Sequence, residues 1–187
     1  MKKELIVALR FTLITTVIFG LLYPLGMTGL SRWIFPKQAA GSLIEKDGHI
    51  VGSKLIGQAF TADKYFHPRP SSAGNGYDAS ASSPSNLAPT NQALIDRVKA
   101  DVAKLQQENP GAAIPADLVT SSGSGLDPEI SPAAAEFQVS RIAKARGMSV
   151  EAVRALVARH TQDRTFTIFG EPRVNVLELN LDLDAAK

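Results

Sequence analysis

The residues of this 187-residue chain best suited to chemistry are three histidines, many serines and one glycine-serine run. The run is Ser121, Ser122, Gly123, Ser124 and Gly125. Glycine backbones of this kind can turn N–H groups toward an anion, so these five residues are the candidates for a nucleotide phosphate. The run lacks the Gly-Lys-Ser/Thr ending that supplies a phosphate-binding lysine, and a turn before Leu126-Asp127-Pro128 is the simpler reading. A serine hydrolase would need a nucleophile elbow, and no Gly-x-Ser-x-Gly is present. His49, His67 and His160 are scattered and cysteine is absent, which argues against a zinc site. Asp63, Asp78 and Asp127 lack the spacing of a calcium loop. No catalytic residue and no metal ligand is therefore expected.

One segment is different. His67-Pro-Arg-Pro70 follows Tyr65 and Phe66, placing aromatic and cationic groups on a proline-stiffened loop. Such groups often anchor interfaces. Tyr65, Phe66, His67, Arg69, Tyr77, Asn86, Asn91 and Asp127 are the candidate partner contacts. The simpler alternative is that the aromatics pack the loop onto its own domain. A loop this long, residues 61–91, is usually functional or disordered, and its aromatics argue against disorder.

The elements around these residues suggest an α+β domain of helices and short strands. Residues 49–60 read as one or two short strands. Residues 89–109 read as a helix, with Ala93, Leu94, Val98, Val102 and Leu105 on one face. Residues 114–120 can hold a short strand. Ser131 and Pro132 open a helix that Gly147 closes, and Ser149 caps another over 150–160. Leu177, Leu179, Leu181 and Leu183 alternate with polar residues, which favours a strand; a helix from Asn175 is the alternative.

Ahead of this domain, residues 11–30 carry no charge and would span roughly 30 Å as a helix, about one hydrocarbon thickness. Residues 1–35 are thus expected to be a membrane anchor and 36–187 one soluble domain. Trp33 and Phe35 suit an interfacial belt. A cleaved signal peptide would have a shorter core, and its only plausible site, Ala39-Ala40-Gly41, lies beyond that belt. Lys2, Lys3, Arg10 and Arg32 against Glu4 give +3 before Pro36, and the rest of the chain carries −1. The anchor therefore accounts for the basic pI, and no nucleic-acid binding is expected. The flanking charges put the N-terminus in the cytoplasm and the domain outside it, in the periplasm of a bacterium. Gly20, Gly26 and Gly29 leave room for a partner helix, and Pro24 should disturb the helix one turn earlier.

Longer words then resemble a known family. Tyr65-Phe-His-Pro-Arg-Pro-Ser71, Tyr77-Asp78 and Ser85-Asn-Leu-Ala-Pro-Thr-Asn91 are similar to the C subunit of the bacterial Kdp potassium-transporting ATPase. So are Asp117-Leu-Val-Thr-Ser-Ser-Gly-Ser-Gly-Leu-Asp-Pro128, Ile130-Ser-Pro-Ala-Ala-Ala135 and Gly170-Glu-Pro-Arg-Val-Asn-Val-Leu-Glu-Leu-Asn180. Ala88 departs from a common glycine. The resemblance implies a non-catalytic subunit of an ATP-driven potassium importer in the bacterial inner membrane. Its implied partners are a channel-like potassium-binding subunit, a P-type ATPase subunit, a small single-span subunit and membrane lipid. It also implies a catalytic-chaperone role that raises the P-type subunit's affinity for ATP. No tightly bound cofactor is expected, and ATP association rests on the resemblance alone. An extracytoplasmic domain cannot touch cytoplasmic ATP, so such an effect would travel through the complex as coupling free energy. The alternative is a membrane-tethered periplasmic enzyme or solute-binding module acting alone.

Overall fold

The computed structural model describes residues 1–186. The chain forms two compact units, Met1–Val51 and the chain from Gly52 onward.

The first unit is dominated by one helix, Lys2–Ile34, long and apolar enough to cross a membrane. It consists of α1 (Lys2–Thr15), a π-helical stretch (Thr16–Leu22) and α2 (Tyr23–Ile34). None of these residues is buried by protein, so the apolar surface is left for lipid or other helices. The π-helical stretch has a cause in Pro24. Proline cannot donate to the carbonyl of Gly20, one turn back, and its ring crowds that carbonyl. The ladder widens ahead of it, so the Tyr23 N–H donates to the Ile18 carbonyl, five residues back. Thr15 and Thr28 turn their hydroxyls onto carbonyls of their own helix, Phe11 and Pro24, each at 2.8 Å. The helix stops at Phe35, which precedes a proline and is thereby pushed out of the helical region, to φ −129°. A single turn, α3 (Pro36–Ala39), follows. Strands β1 (Leu43–Lys46) and β2 (His49–Ser53) then pair across Asp47-Gly48, both at positive φ. Two-residue Asp-Gly loops favour such hairpins. β2 falls within the expected strand region, whereas β1 was not expected.

The second unit is built around α5 (Pro132–Arg146). The Ser131 hydroxyl accepts from the Ala134 N–H at 3.0 Å, and Pro132 takes the first turn. Gly147, at φ +64°, closes the helix in the left-handed conformation, as expected. α5 buries Ala135, Phe137, Val139 and Ile142 on several faces, because it is covered from more than one side. α6 (Val150–His160) packs Val153, Leu156 and Val157 against it. A small antiparallel sheet closes the core: β3 (Glu129–Ile130) and β4 (Thr161–Gln162) flank β5 (Arg173–Asn175). Val174 sits at its centre, opposite both Ile130 and Thr161.

Two expectations are corrected here. Residues 176–185 form a helix, α7 (Val176–Ala185), not a strand. The Asn175 side chain accepts from the Glu178 N–H at 3.1 Å and starts the helix where β5 ends. The 3.6-residue period then buries Val176, Leu179, Asn180 and Leu183 together. The segment 114–120 holds a 3₁₀ turn (Ala116–Leu118), whose Leu118 plugs the core. α4 (Gln92–Glu108) forms within the expected span, capped by Asn91, but contains no fully buried residue. Only Leu105 of α4 packs against the core cluster.

Candidate functional site

The expected contact loop is tied down at its first residues by side chains from α5 and α7. Gln138 of α5 accepts from the His67 N–H at 2.8 Å and donates to the His67 carbonyl at 3.1 Å. Asn180 of α7 does the same for Phe66, at 2.8 and 3.0 Å. Two adjacent residues thus exchange paired bonds with two side-chain amides, much as a strand would with a neighbour. Arg141 and Arg146, on the same helix α5, hold the chain just before. Arg141 donates to the Asp63 and Tyr65 carbonyls and pairs with Glu108 at 2.7 Å. Arg146 donates to the Lys64 carbonyl and pairs with Asp184, both at 2.7 Å. Its guanidinium also lies over the Tyr65 ring.

These bonds overturn one expectation. Phe66 was expected at a partner surface, but it is 0% exposed and belongs to the core. Its ring supplies the apolar burial that the clamp on its backbone secures. Tyr65 is half-buried, its ring tilted at 58° against Phe60 with centroids 5.4 Å apart, and it donates its hydroxyl to Asp184 at 3.0 Å. Burial, and next the charge of Arg141, hold the His67 pKa below the ordinary imidazole value, partly offset by the Ala62 carbonyl.

Farther along, the loop folds against the glycine-serine run. Arg69 pairs with Asp127 at 2.9 Å and reaches the carbonyls of Thr120 and Ser121. Tyr77 donates its hydroxyl to the Arg69 carbonyl, and burial followed by the Asp127 charge raises its pKa. Ser72 meets the Ser121 hydroxyl at 3.2 Å, and Ser82 donates to the Ser124 carbonyl at 2.9 Å. Gly125, at φ +68°, is required by this contact. A Cβ there would stand 2.7 Å from both the Ala73 nitrogen and the Ser83 oxygen. Its N–H donates to the Ser122 carbonyl, while Gly123 has open space around it. Asn91 caps α4 and Asn86 is exposed at φ +52°. Gly26 and Gly29 are open on the apolar N-terminal helix, as a close helix contact would need, and Gly20 meets only a methyl of Thr16 at 3.7 Å.

A cleft of about 260 Å³ lies between the loop and α4, lined by Phe60, His67, Arg69, Tyr77, Lys104 and Glu108 among others. It falls short of the roughly 300 Å³ at which drug-sized ligand pockets begin. Among the described residues, no group of three His, Asp or Glu side chains is placed to hold a metal ion. The arrangement is a polar, hydrogen-bonded contact of loop against loop.

Comparison with known sequences decides the family. The KdpC model, described as "K+-transporting ATPase, c chain", matches residues 5–185. The chain belongs to the KdpC family. A relative from Koribacter versatilis (strain Ellin345), named potassium-transporting ATPase KdpC subunit, is 58% identical over 187 residues. That alignment covers 100% of this chain and 97% of the relative. The KdpC subunit of Rhodopseudomonas palustris (strain BisB18) is 58% identical with 100% of both chains covered. That of Caulobacter vibrioides (strain NA1000 / CB15N) is 58% identical over 91% of this chain and 87% of its own. In this KdpC-family sequence the first loop word is held against the domain, with Phe66 in the core, while Asn86 and residues 88–91 of the later word stay exposed. In the sequence, Asn180, Arg141 and Arg146 stand out only as family matches and Gln138 not at all; none is a candidate site residue, because each is remote in sequence from the stretch 63–67 that they hold. Polar Gln138 between Phe137 and Val139, and Asn180 between Leu179 and Leu181, are the local signs.

Proposed function

We propose that this chain is a non-catalytic subunit of a potassium-transporting ATPase complex, and that its folded domain is a rigid clamp that assembles and stabilises the larger subunits. The observation that carries this reading is the KdpC-family match over residues 5–185, which takes in the apolar helix and the whole domain together. The helix supplies a membrane tether, and the domain offers a preformed surface whose loop is already ordered. Preordering lowers the entropy cost of binding.

The proposed partners are the channel-like and P-type subunits and the small single-span subunit. The proposed orientation has the N-terminus in the cytoplasm and the domain outside, from the excess of Lys2, Lys3 and Arg10 over the far flank. In that orientation, an effect on ATP affinity acts through the assembled complex as coupling between sites, without direct contact by residues 121–125.

The test is purification of the tagged full-length chain from its native membrane in mild detergent. A stoichiometric complex with two larger membrane proteins is expected. A lone chain with its own turnover would refute the proposal and point to a tethered enzyme. Protease treatment of right-side-out spheroplasts should degrade the domain; protection there would reverse the orientation. Replacing Phe66 is unsuitable for testing contacts, because its loss empties the core.

A further inference from the structure

The second unit carries an apolar feature that none of the loop words includes. Residues 165–169 form a tight hairpin tip, closed by paired bonds between Thr165 and Phe169, each at 2.9 Å. Phe166, Ile168 and Phe169 on this tip are 82%, 73% and 64% exposed. Phe166 and Thr167 stand at φ +53° and +62°. That conformation is uncommon for any residue with a side chain and an outlier for a β-branched one. Glycine or asparagine would relax the turn, so the tip combines backbone strain with three large solvated side chains. Such combinations persist at binding sites.

We propose that this tip is an anchor that seats in an apolar groove on a neighbouring subunit of the complex. The proposal rests on the assembly role given above and names one contact of it. Three arguments select a protein groove. The tip is flanked in sequence by Asp163, Arg164, Glu171 and Arg173, which sum to zero charge, and both cations are already paired, Arg164 with Glu171 at 2.7 Å and Arg173 with Glu129 at 3.0 Å. A neutral rim offers no attraction to anionic lipid, whereas an apolar centre with a polar rim is the usual anatomy of a protein interface. The area is the second argument. Three side chains, the aromatics burying about 150–250 Å² each, supply less than the roughly 800 Å² per partner of a freestanding interface. The tip therefore suits one hot spot within a larger contact and does not suit a self-sufficient dimer of this chain. Third, in the tethered assembly proposed above the domain stays beside its partners, and a small anchor is effective at high local concentration.

The chain has no cysteine, so Ile168→Cys gives a single labelling site. The full-length labelled chain, carrying an environment-sensitive fluorophore, is measured in the assembled complex, alone in detergent, and alone in phospholipid nanodiscs. A blue shift confined to the complex is expected. A shift in the nanodiscs without partners would overturn the proposal in favour of lipid insertion. A concentration-dependent shift in detergent would overturn it in favour of self-association, and no shift anywhere would show the tip stays in water. In parallel, Phe166→Ser/Phe169→Ser should raise the rate at which the subunit leaves the complex by about tenfold or more. Both side chains are exposed, so the thermal midpoint of the isolated chain should not move; an unchanged dissociation rate refutes the anchor. If the unmodified chain co-purifies with its partners while these outcomes fail, the assembly role stands and the tip assignment alone is lost.

Discussion

Asn180→Leu tests the clamp that orders the loop. Asn180 is 2% exposed, and its amide makes two bonds, to the N–H and the carbonyl of Phe66. Leucine keeps the branching and heavy-atom count of asparagine, so no cavity is opened, and the greater bulk of its two methyls adds some overpacking cost to the lost bonds. The loss is then two buried backbone groups without partners, each costing about 1–3 kcal/mol. The expected destabilisation is about 3–4 kcal/mol, a large share of the ~5–15 kcal/mol that holds a typical domain. Urea pulse proteolysis of the full-length chain in detergent should show the domain's midpoint falling accordingly. Amide exchange at Phe66 supplies a site-specific reading. With each 1.4 kcal/mol worth a factor of ten, protection there should fall by roughly 100-fold or more. A change below about 0.5 kcal/mol, with Phe66 still protected, would refute the idea that these two bonds fasten the loop.

Two further outcomes follow from the loop contacts. Gly125→Ala should cost about 2–4 kcal/mol, because its Cβ meets backbone on two sides at positive φ, while Gly123→Ala in the same run should stay within about 0.5 kcal/mol; comparing their urea midpoints checks this, and equal effects would refute it. For His67, the folded pKa lies below the ordinary value of 6.5, so between the two the unfolded chain binds more protons and stability rises with pH. That stability is fully present above about 6.5 and is lost as pH falls through 6.5 toward the folded value; His67→Gln should flatten the pH dependence of the urea midpoint across that window.

The local signals that held were those complete within a few residues. Ser131-Pro132 and Gly147 bracket α5, and Ser149 caps α6, because caps are satisfied by neighbouring backbone. The tail misled because Leu177, Leu179, Leu181 and Leu183 satisfy a period of two as well as a helical face. The Asn175–Glu178 cap decided for the helix once β5 ended at Asn175. Phe66 misled for another reason. An aromatic beside His-Pro-Arg-Pro carries no mark of which way it points, and only Gln138 and Asn180, arriving from 71 and 114 residues away, turn it inward.

The sequence by itself determined the long apolar N-terminal helix, the caps of the later helices and the family. Each is written in contiguous residues whose chemistry acts over a turn or two of chain. Only the tertiary structure decided that Phe66, at the start of the proline-rich loop, turns inward and joins the core. It also decided that Gly125 serves close packing and that Phe166, Ile168 and Phe169 are left in water. Those outcomes depend on which distant backbone groups a side chain meets, and burial is a property of the assembled fold.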